Sequence, residues 1–420
     1  MNRVLFIAYY TPPLGLSGVM RVTKLAKFLP EFGWEVLLLT VKDVAYYAYD
    51  PELVADLRKA KVFRTESLDS NRLLRVIGVK QLKGCSGEIG QTYKGTLGGT
   101  PAFFRRFFFP DSKVGWLPFA VRTGKKVIAR LNPRVIFATA PPWTTLMVGE
   151  KLSRLSGLPF VADFRDPWPG GFEEPPAGQK RRLLRLRERI LQQAKLVLAV
   201  NQGTARMVGE MVEVLENGFD PEEFNVEPEQ LEGFSILYAG NLWHQEKVLS
   251  DVVQALVEIP DARLYIAGGV SEEIGRRFTT SPQVRFLGFV SHQRTMSLMK
   301  GAQVLLYLGK PGQPVGLKLY EYLGSGKPIV VWTDDEDTEP AQIVREVGQG
   351  FICQNRQSFV AVLKEIREKG IGTPVARARG DVSLQVGVDR YNRRFQAKRL
   401  ADYFGRLLDG RIAARPDRCQ

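Results

Sequence analysis

Apolar residues recur along this chain in two ways, as short continuous runs and as stripes with helical spacing, and the two alternate. Arg3 to Tyr9 is the first run, β-branched and apolar, as a strand buried on both faces of a parallel sheet requires. A loop with Gly15 and Gly18 comes next, then a helical stripe of Val22, Leu25, Phe28 and Leu29, and a second strand from Glu35 to Thr40. From Ser67 to Asp111 the periodicity fades and glycines accumulate, which predicts a long loop, functional or disordered. Alternation resumes with a helix over Gly115 to Arg130, strands at Arg134 to Ala138 and Pro159 to Phe164, and Trp143 opening the helix between them. A strand at Leu196 to Val200 and a helix at Gln202 to Met211 complete this half. Asn217 to Phe224 is rich in turn residues, and the polar, acidic stretch Asn225 to Gly233 marks a domain boundary.

The alternation then restarts. Strands are predicted at Ser235 to Gly240, Arg263 to Ala267, Val284 to Phe286, Val304 to Leu308 and Ile329 to Trp332. Helices are predicted from a Ser291-His292 cap to Met299, from Gly316 to Leu323 and from Arg356 to Lys369. Tyr391 to Leu408 is amphipathic, with Phe395, Leu400, Tyr403, Phe404, Leu407 and Leu408 on its apolar side. Strand and helix in alternation predict an α/β protein, divided into residues 1–224, 225–387 and a terminal helical segment 388–420.

Composition narrows the chemistry. At 420 residues the chain exceeds one comfortable core, and 44% apolar with 25% charged residues is the balance of a globular protein. Cys85, Cys353 and Cys419 form no metal knuckle or disulfide framework and suit a reducing compartment. With His244 and His292 alone, a histidine metal site or a Ser-His-Asp triad lacks material. Met1 to Tyr10 reads as a strand rather than a signal peptide, and no apolar run reaches a membrane span, so a cytoplasmic protein is expected. The net charge of +14 gathers at Arg105 to Arg134, at Lys180 to Arg189 and along the tail from Arg377. No nucleic-acid-binding module accompanies these clusters, which leaves an anionic membrane surface as the expected partner. Phe103 to Phe109, interleaved with Arg105 and Arg106, suits either a bilayer interface or a buried aromatic cluster.

The candidate chemistry centres on Gln313 to Pro328. Gly316 opens a short helix between two strands, and the N–H groups of Val315, Gly316 and Leu317 would face an anion with little side-chain bulk around them. Lys318 lies near that end, and Glu321 one turn further in. Asp163, Arg165 and Asp166 stand at the carboxyl end of a strand, where parallel sheets bind ligands, or else an Arg165 ion pair to either aspartate fixes the loop. Gly15-x-x-Gly18 is not the dinucleotide fingerprint. Asp335-x-Asp337 has the look of a metal-binding pair, but preceding a helix it is expected to cap that helix.

Gln313 to Pro328, Gly240 to Lys247, Asn217 to Phe224 and Asp163 to Trp168 together resemble retaining glycosyltransferases of the GT-B fold, family 4 type. The resemblance implies two Rossmann-like domains facing a central cleft, a nucleoside diphosphate sugar as donor without a metal or other cofactor, and a lipid-linked or glycan acceptor in cell-envelope polysaccharide or glycoconjugate synthesis. Glu321 matches the glutamate that holds the donor ribose, while Gln313 replaces the family's first glutamate; with Asp166 these are the implied catalytic residues. Gly18, Arg21, Val290 and Lys247 match donor contacts. Asn241 stands where the family has an arginine, and Lys318 or Lys327 is expected to compensate. The acceptor side falls on Asp163, Arg165 and Asp166, in a sub-branch lacking the histidine often found there. The terminal helix is implied to cross back to the first domain. Two other readings stay open, a nucleotide-sugar 2-epimerase of similar fold and a catalytically weakened sugar-binding protein.

Overall fold

The computed structural model of the chain describes residues 1–15, 17–46, 49–80, 109–169, 177–243, 245–309, 315–369 and 387–411. Two units emerge, Met1–Glu216 with Gln396–Gln420, and Asn217–Phe395.

In the first unit the apolar runs become β1 (Asn2–Ile7), β2 (Trp34–Val41), β3 (Lys61–Thr65), β4 (Val135–Ala140), β5 (Phe160–Phe164), β6 (Leu196–Ala199) and β7 (Glu213–Val214). Among the described residues they form one parallel sheet in the order β3-β2-β1-β4-β5-β6-β7. Alternation along a strand explains why β1 is apolar throughout. Leu5 and Ile7 join the core on one face, Val4 and Phe6 the core on the other. The helices are α1 (Ser17–Phe28), α2 (Ser70–Val76), α3 (Leu117–Leu131), α4 (Thr144–Ser156), α5 (Ala177–Gln193) and α6 (Gln202–Val208).

The second unit contains β8 (Phe234–Ala239), β9 (Ala262–Ala267), β10 (Val284–Gly288), β11 (Val304–Leu308), β12 (Ile329–Trp332) and β13 (Gly350–Cys353), parallel in the order β10-β9-β8-β11-β12-β13. Its helices are α7 (Glu246–Leu256), α8 (Glu272–Phe278), α9 (His292–Gly301), α10 (Leu317–Ser325), α11 (Glu339–Glu346) and α12 (Arg356–Glu368). A last helix, α13 (Arg393–Leu408), lays Ala397, Leu400, Ala401 and Phe404 into the first unit's core; the Phe404 ring meets Trp34 edge-on at 5.0 Å.

Both sheets reverse their strand order once, between β1 and β4 and between β8 and β11, and such switch points open a crevice at the carboxyl ends of the strands. The expected loop from Ser67 to Asp111 is interrupted by α2, whose N-cap Asp69 accepts hydrogen bonds from the Asn71 and Arg72 N–H groups; seven residues are too few for a periodicity signal. Residues 81–108 of that stretch, with Phe103 to Phe108 and Cys85, lie outside the described residues. Phe109 packs against the core, with the Arg182 guanidinium 4.3 Å from its ring centre, so at this position the buried-cluster alternative holds. No described helix is long and apolar enough to cross a membrane.

Candidate functional site

The switch point of the second unit is built by the segments that leave β8 and β11. After β11 the chain reaches α10, which starts one residue later than the sequence pattern suggests, with Gly316 as an extended N-cap and no side chain capping the end. Gly326, at φ +71°, closes it in the left-handed conformation that favours glycine. Of the three N–H groups expected at the open end, that of Gly316 is taken: it donates to the Tyr307 hydroxyl at 2.9 Å. Burial pushes that phenol's pKa up to about 12, so it stays neutral. The Leu319 N–H is taken as well, by the Gly316 carbonyl at 3.2 Å, so the start of α10 presents the N–H groups of Leu317 and Lys318 beside a fixed hydroxyl.

Glu321 is 2% exposed on α10, and its Oε2 accepts a 2.6 Å hydrogen bond from Lys318 Nζ. The cation expected to face a diphosphate is thus held by the carboxylate expected to face a ribose. Lys327 cannot replace it at that end. It lies just past the Gly326 cap, and nine helical residues at about 1.5 Å each put it roughly 14 Å from the N-terminus. Burial and the neighbouring Lys300 hold its pKa below the usual lysine value. A second helix contributes at its first residue: His292 opens α9 behind the N-cap Ser291, and its Nε2 lies 2.8 Å from Glu223 Oε1 in the short 3-10 turn Pro221–Phe224. Burial opposes the imidazolium, but the Glu223 hydrogen bond and charge, with Glu321 adding to them, raise the His292 pKa above its ordinary value. His292 is thus a partnered histidine.

After β8 the backbone turns through Gly240, at φ +156°, against Gly268, at φ +154°; a Cβ on Gly268 would strike the Gly240 carbonyl oxygen. Asn241, in the family's arginine position, locks this contact instead of reaching outward: its Oδ1 accepts the Gly269 N–H at 2.8 Å, and Tyr238 donates to its carbonyl at 3.2 Å. Lys247 is exposed in the first turn of α7. Val290 is half-buried against the core that α9 and α10 share. Gln313 and His244 lie outside the described residues. Asp335 and Asp337 do not cap α11 with their side chains. Its N-cap is Thr338, while Asp335 accepts the Asp337 N–H at 2.8 Å within the preceding turn, and neither joins a cluster of metal ligands among the described residues.

The first unit distributes its predicted residues differently. Arg21, 2% exposed, grips Asp163, 0% exposed, with Nε–Oδ2 at 2.9 Å and Nη2–Oδ1 at 2.7 Å. Thr139 donates to the same carboxylate at 2.6 Å, and Arg21 Nη1 to the Glu216 carbonyl at 3.0 Å. A residue matched to the donor and one matched to the acceptor are therefore partners in the core. Arg165 makes no ion pair with Asp163: its guanidinium donates to the carbonyls of Ala140, Gly18 and Pro141, tying the β1, β4 and β5 loops together through three acceptors. Asp166 is exposed beside it. Trp143 stacks on buried Trp168 at the same edge, with ring centres 4.7 Å apart and planes within 5°.

Residues 233–368 match the family described as glycosyl transferases group 1. The second unit carries a group 1 glycosyltransferase domain. No curated protein matches the chain in sequence. Among solved structures, sucrose-phosphate synthase from Thermosynechococcus elongatus superposes with a TM-score of 0.64 at 15% identity, covering 98% of this chain and 100% of that one. Alr3699/HepE of Anabaena, solved in complex with UDP, gives 0.63 at 15% identity over 96% and 100%. A putative UDP-N-acetylglucosamine 2-epimerase from Listeria monocytogenes gives 0.57 at 10% identity over 98% and 99%. At such identities the likeness establishes the fold, two Rossmann-like units of GT-B type.

Within the group 1 domain, Asn241, Lys247, Val290, Val315 to Lys318 and Glu321 share the carboxyl edge of one sheet. Gly18, Arg21, Asp163, Arg165 and Asp166 belong to the other unit. The sequence missed the Glu223 partner of His292 and a buried network in the first unit. There Tyr9 donates to Asp69 at 2.6 Å, Ser67 donates to the same carboxylate, and Lys113, 1% exposed, reaches it at 3.4 Å. Nothing in local sequence joins residues so far apart; only the N-capping signal of Asp69 was available.

Proposed function

We propose that this protein transfers a sugar from a nucleoside diphosphate sugar to a lipid-linked or glycan acceptor, with retention at the anomeric carbon, in cell-envelope polysaccharide or glycoconjugate synthesis. The observation that carries the proposal is the uncapped start of α10, at a topological switch point and inside a group 1 glycosyltransferase domain, with Glu321 one turn behind it. The complex of Anabaena HepE with UDP supports a nucleotide ligand for this fold.

The Leu317 and Lys318 N–H groups and the helix dipole favour the diphosphate, and Lys247, exposed in the first turn of α7, supplies a further cation, so the donor is held without a metal ion. The ribose hydroxyls donate to Glu321, whose carboxylate accepts two hydrogen bonds at once. Binding then separates Lys318 from Glu321 and turns the ammonium toward the phosphates. Gln313 bonds sugar hydroxyls as a neutral amide, and Asp166 with Arg165 stands on the acceptor side.

Calorimetric titration of UDP-glucose, in chelator, into the wild type and Glu321→Gln tests the assignment. The amide keeps the shape but loses the charge and one acceptor, so binding weakens by about 1.5–3 kcal/mol, the range for a hydrogen bond to a charged group. Unchanged affinity in a folded variant would place the site elsewhere. The epimerase alternative is separated by product analysis: an epimerase changes the nucleotide sugar without acceptor, whereas the transferase requires one.

A further inference from the structure

Glu321 is one of four ionisable side chains that the second unit brings together without using them in its core. Lys318 Nζ lies 2.6 Å from Glu321 on α10, and His292 Nε2 lies 2.8 Å from Glu223 where α9 begins. The two helices share an apolar core through Met296, Leu298 and Met299 on one side and Leu319, Tyr322 and Leu323 on the other, which keeps the two pairs beside each other. The 3-10 turn holding Glu223 is fixed as well: Lys300 of α9 donates to the Phe224 and Val226 carbonyls at 2.9 and 2.7 Å. From this geometry we infer that His292, buttressed by Glu223, is a positioning residue for Glu321 and makes nucleotide-sugar affinity depend on pH.

The charges facing His292 are Glu223 from the turn and Glu321 and Lys318 from α10; on its own helix, Arg294 is committed to Glu229 through two hydrogen bonds of 2.8 and 3.0 Å. With His292 protonated these four groups carry two positive and two negative charges, and Asp220 adds a further carboxylate within 4.8 Å of that of Glu223. Donor binding, on the assignment of Glu321 proposed above, changes that balance in one direction. It draws Lys318 away and places a diphosphate near the start of α10, and both changes favour the imidazolium. The bound state therefore holds the His292 proton more tightly than the free state, and by reciprocity the proton strengthens donor binding. Affinity is high below the His292 pKa and falls as pH rises through it. The imidazolium takes over the countercharge that Lys318 gives up, so the Glu321 carboxylate stays in place when its lysine leaves.

The chain has two histidines, so the group responsible can be identified. UDP-glucose is the probe, because its diphosphate is esterified at both ends and does not titrate in the histidine range of about pH 5 to 8. Its affinity is measured by calorimetry across that range for wild type, His292→Gln, Glu223→Gln and His244→Gln, with circular dichroism on each. The wild type is expected to bind about fivefold or more tightly at the acid end, the usual scale of coupling between two sites. His292→Gln flattens the profile, Glu223→Gln keeps it but moves its midpoint to lower pH, and His244→Gln leaves it unchanged. A flat wild-type profile, or one that survives His292→Gln or disappears in His244→Gln, overturns the inference and leaves the donor site standing. Absence of binding at every pH by UDP-glucose and by guanosine and adenosine diphosphate sugars alike overturns both.

Discussion

Arg21 and Asp163 show how a charged residue chosen by its place in a motif can have its whole chemistry taken up by a partner 142 residues away. The pair is bidentate and buried, Thr139 and the Glu216 carbonyl satisfy what remains, and no water is available to either charge. Removing one partner leaves the other charged and desolvated, which costs about 3–5 kcal/mol. Asp163→Asn is therefore expected to lower the stability of the first unit by that amount in urea denaturation. Arg21→Met combined with Asp163→Leu, apolar on both sides, should recover most of the loss. Equal losses in single and double variants would show that packing, not charge, sets the cost. Glu321 is as buried as Arg21, but its partner Lys318 has a side chain 33% exposed, so that pair can open at little desolvation cost. Exposure of the partner separates a structural ion pair from one that can be exchanged for a ligand.

At the scale of elements, α10 is positioned by a glycine its own helix does not want. Gly324 lies within α10, where alanine is favoured by about 1 kcal/mol. A Cβ there would sit 2.5 Å from the Phe219 ring, just before the turn that carries Glu223, and 2.7 Å from Phe224, the last residue of that turn. Overpacking typically costs about 1–3 kcal/mol, so the clash outweighs the helical gain. Gly324→Ala should lower the urea midpoint of the second unit; a rise would mean that the two rings yield freely. Because the same contact sets the distance between α10 and the Glu223 turn, the variant bears on the His292 pair as well as on stability.

For the molecule as a whole, the excess of cations has an ordered expression among the described residues, on α5. Arg181, Arg185 and Arg189 succeed one another at intervals of four on the exposed side of α5, while Leu183, Leu186 and Ile190 bury the other side. Such a stripe suits anionic headgroups, with each cation near a bilayer worth about 1 kcal/mol and screened by salt. Flotation is expected with anionic vesicles and not with neutral ones, and Arg181→Ser, Arg185→Ser and Arg189→Ser together should abolish it. Equal recovery with both vesicle types, insensitive to salt, would refute the electrostatic association.

What the sequence determined by itself is what lies within reach of a few residues. Runs such as Val304 to Leu308 and Ile329 to Trp332 are strands with the bounds their apolar composition sets, since a strand buried on both faces admits no polar interruption. The glycines around α10 fixed its two ends, because an uncapped start and a left-handed finish are local backbone requirements. β3, β7 and β13 escaped notice: at the sheet edges, with residues only partly covered, their sequences need not be uniformly apolar. Tertiary structure alone decided which groups meet. The strand order brings β1 beside β4 and β8 beside β11, so Arg21 finds Asp163, His292 finds Glu223 and Lys113 finds Asp69 across intervals that no local pattern spans. A charge carries no mark of its partner in the sequence. Its environment is set by neighbours in space, and these exist only once the sheets have formed.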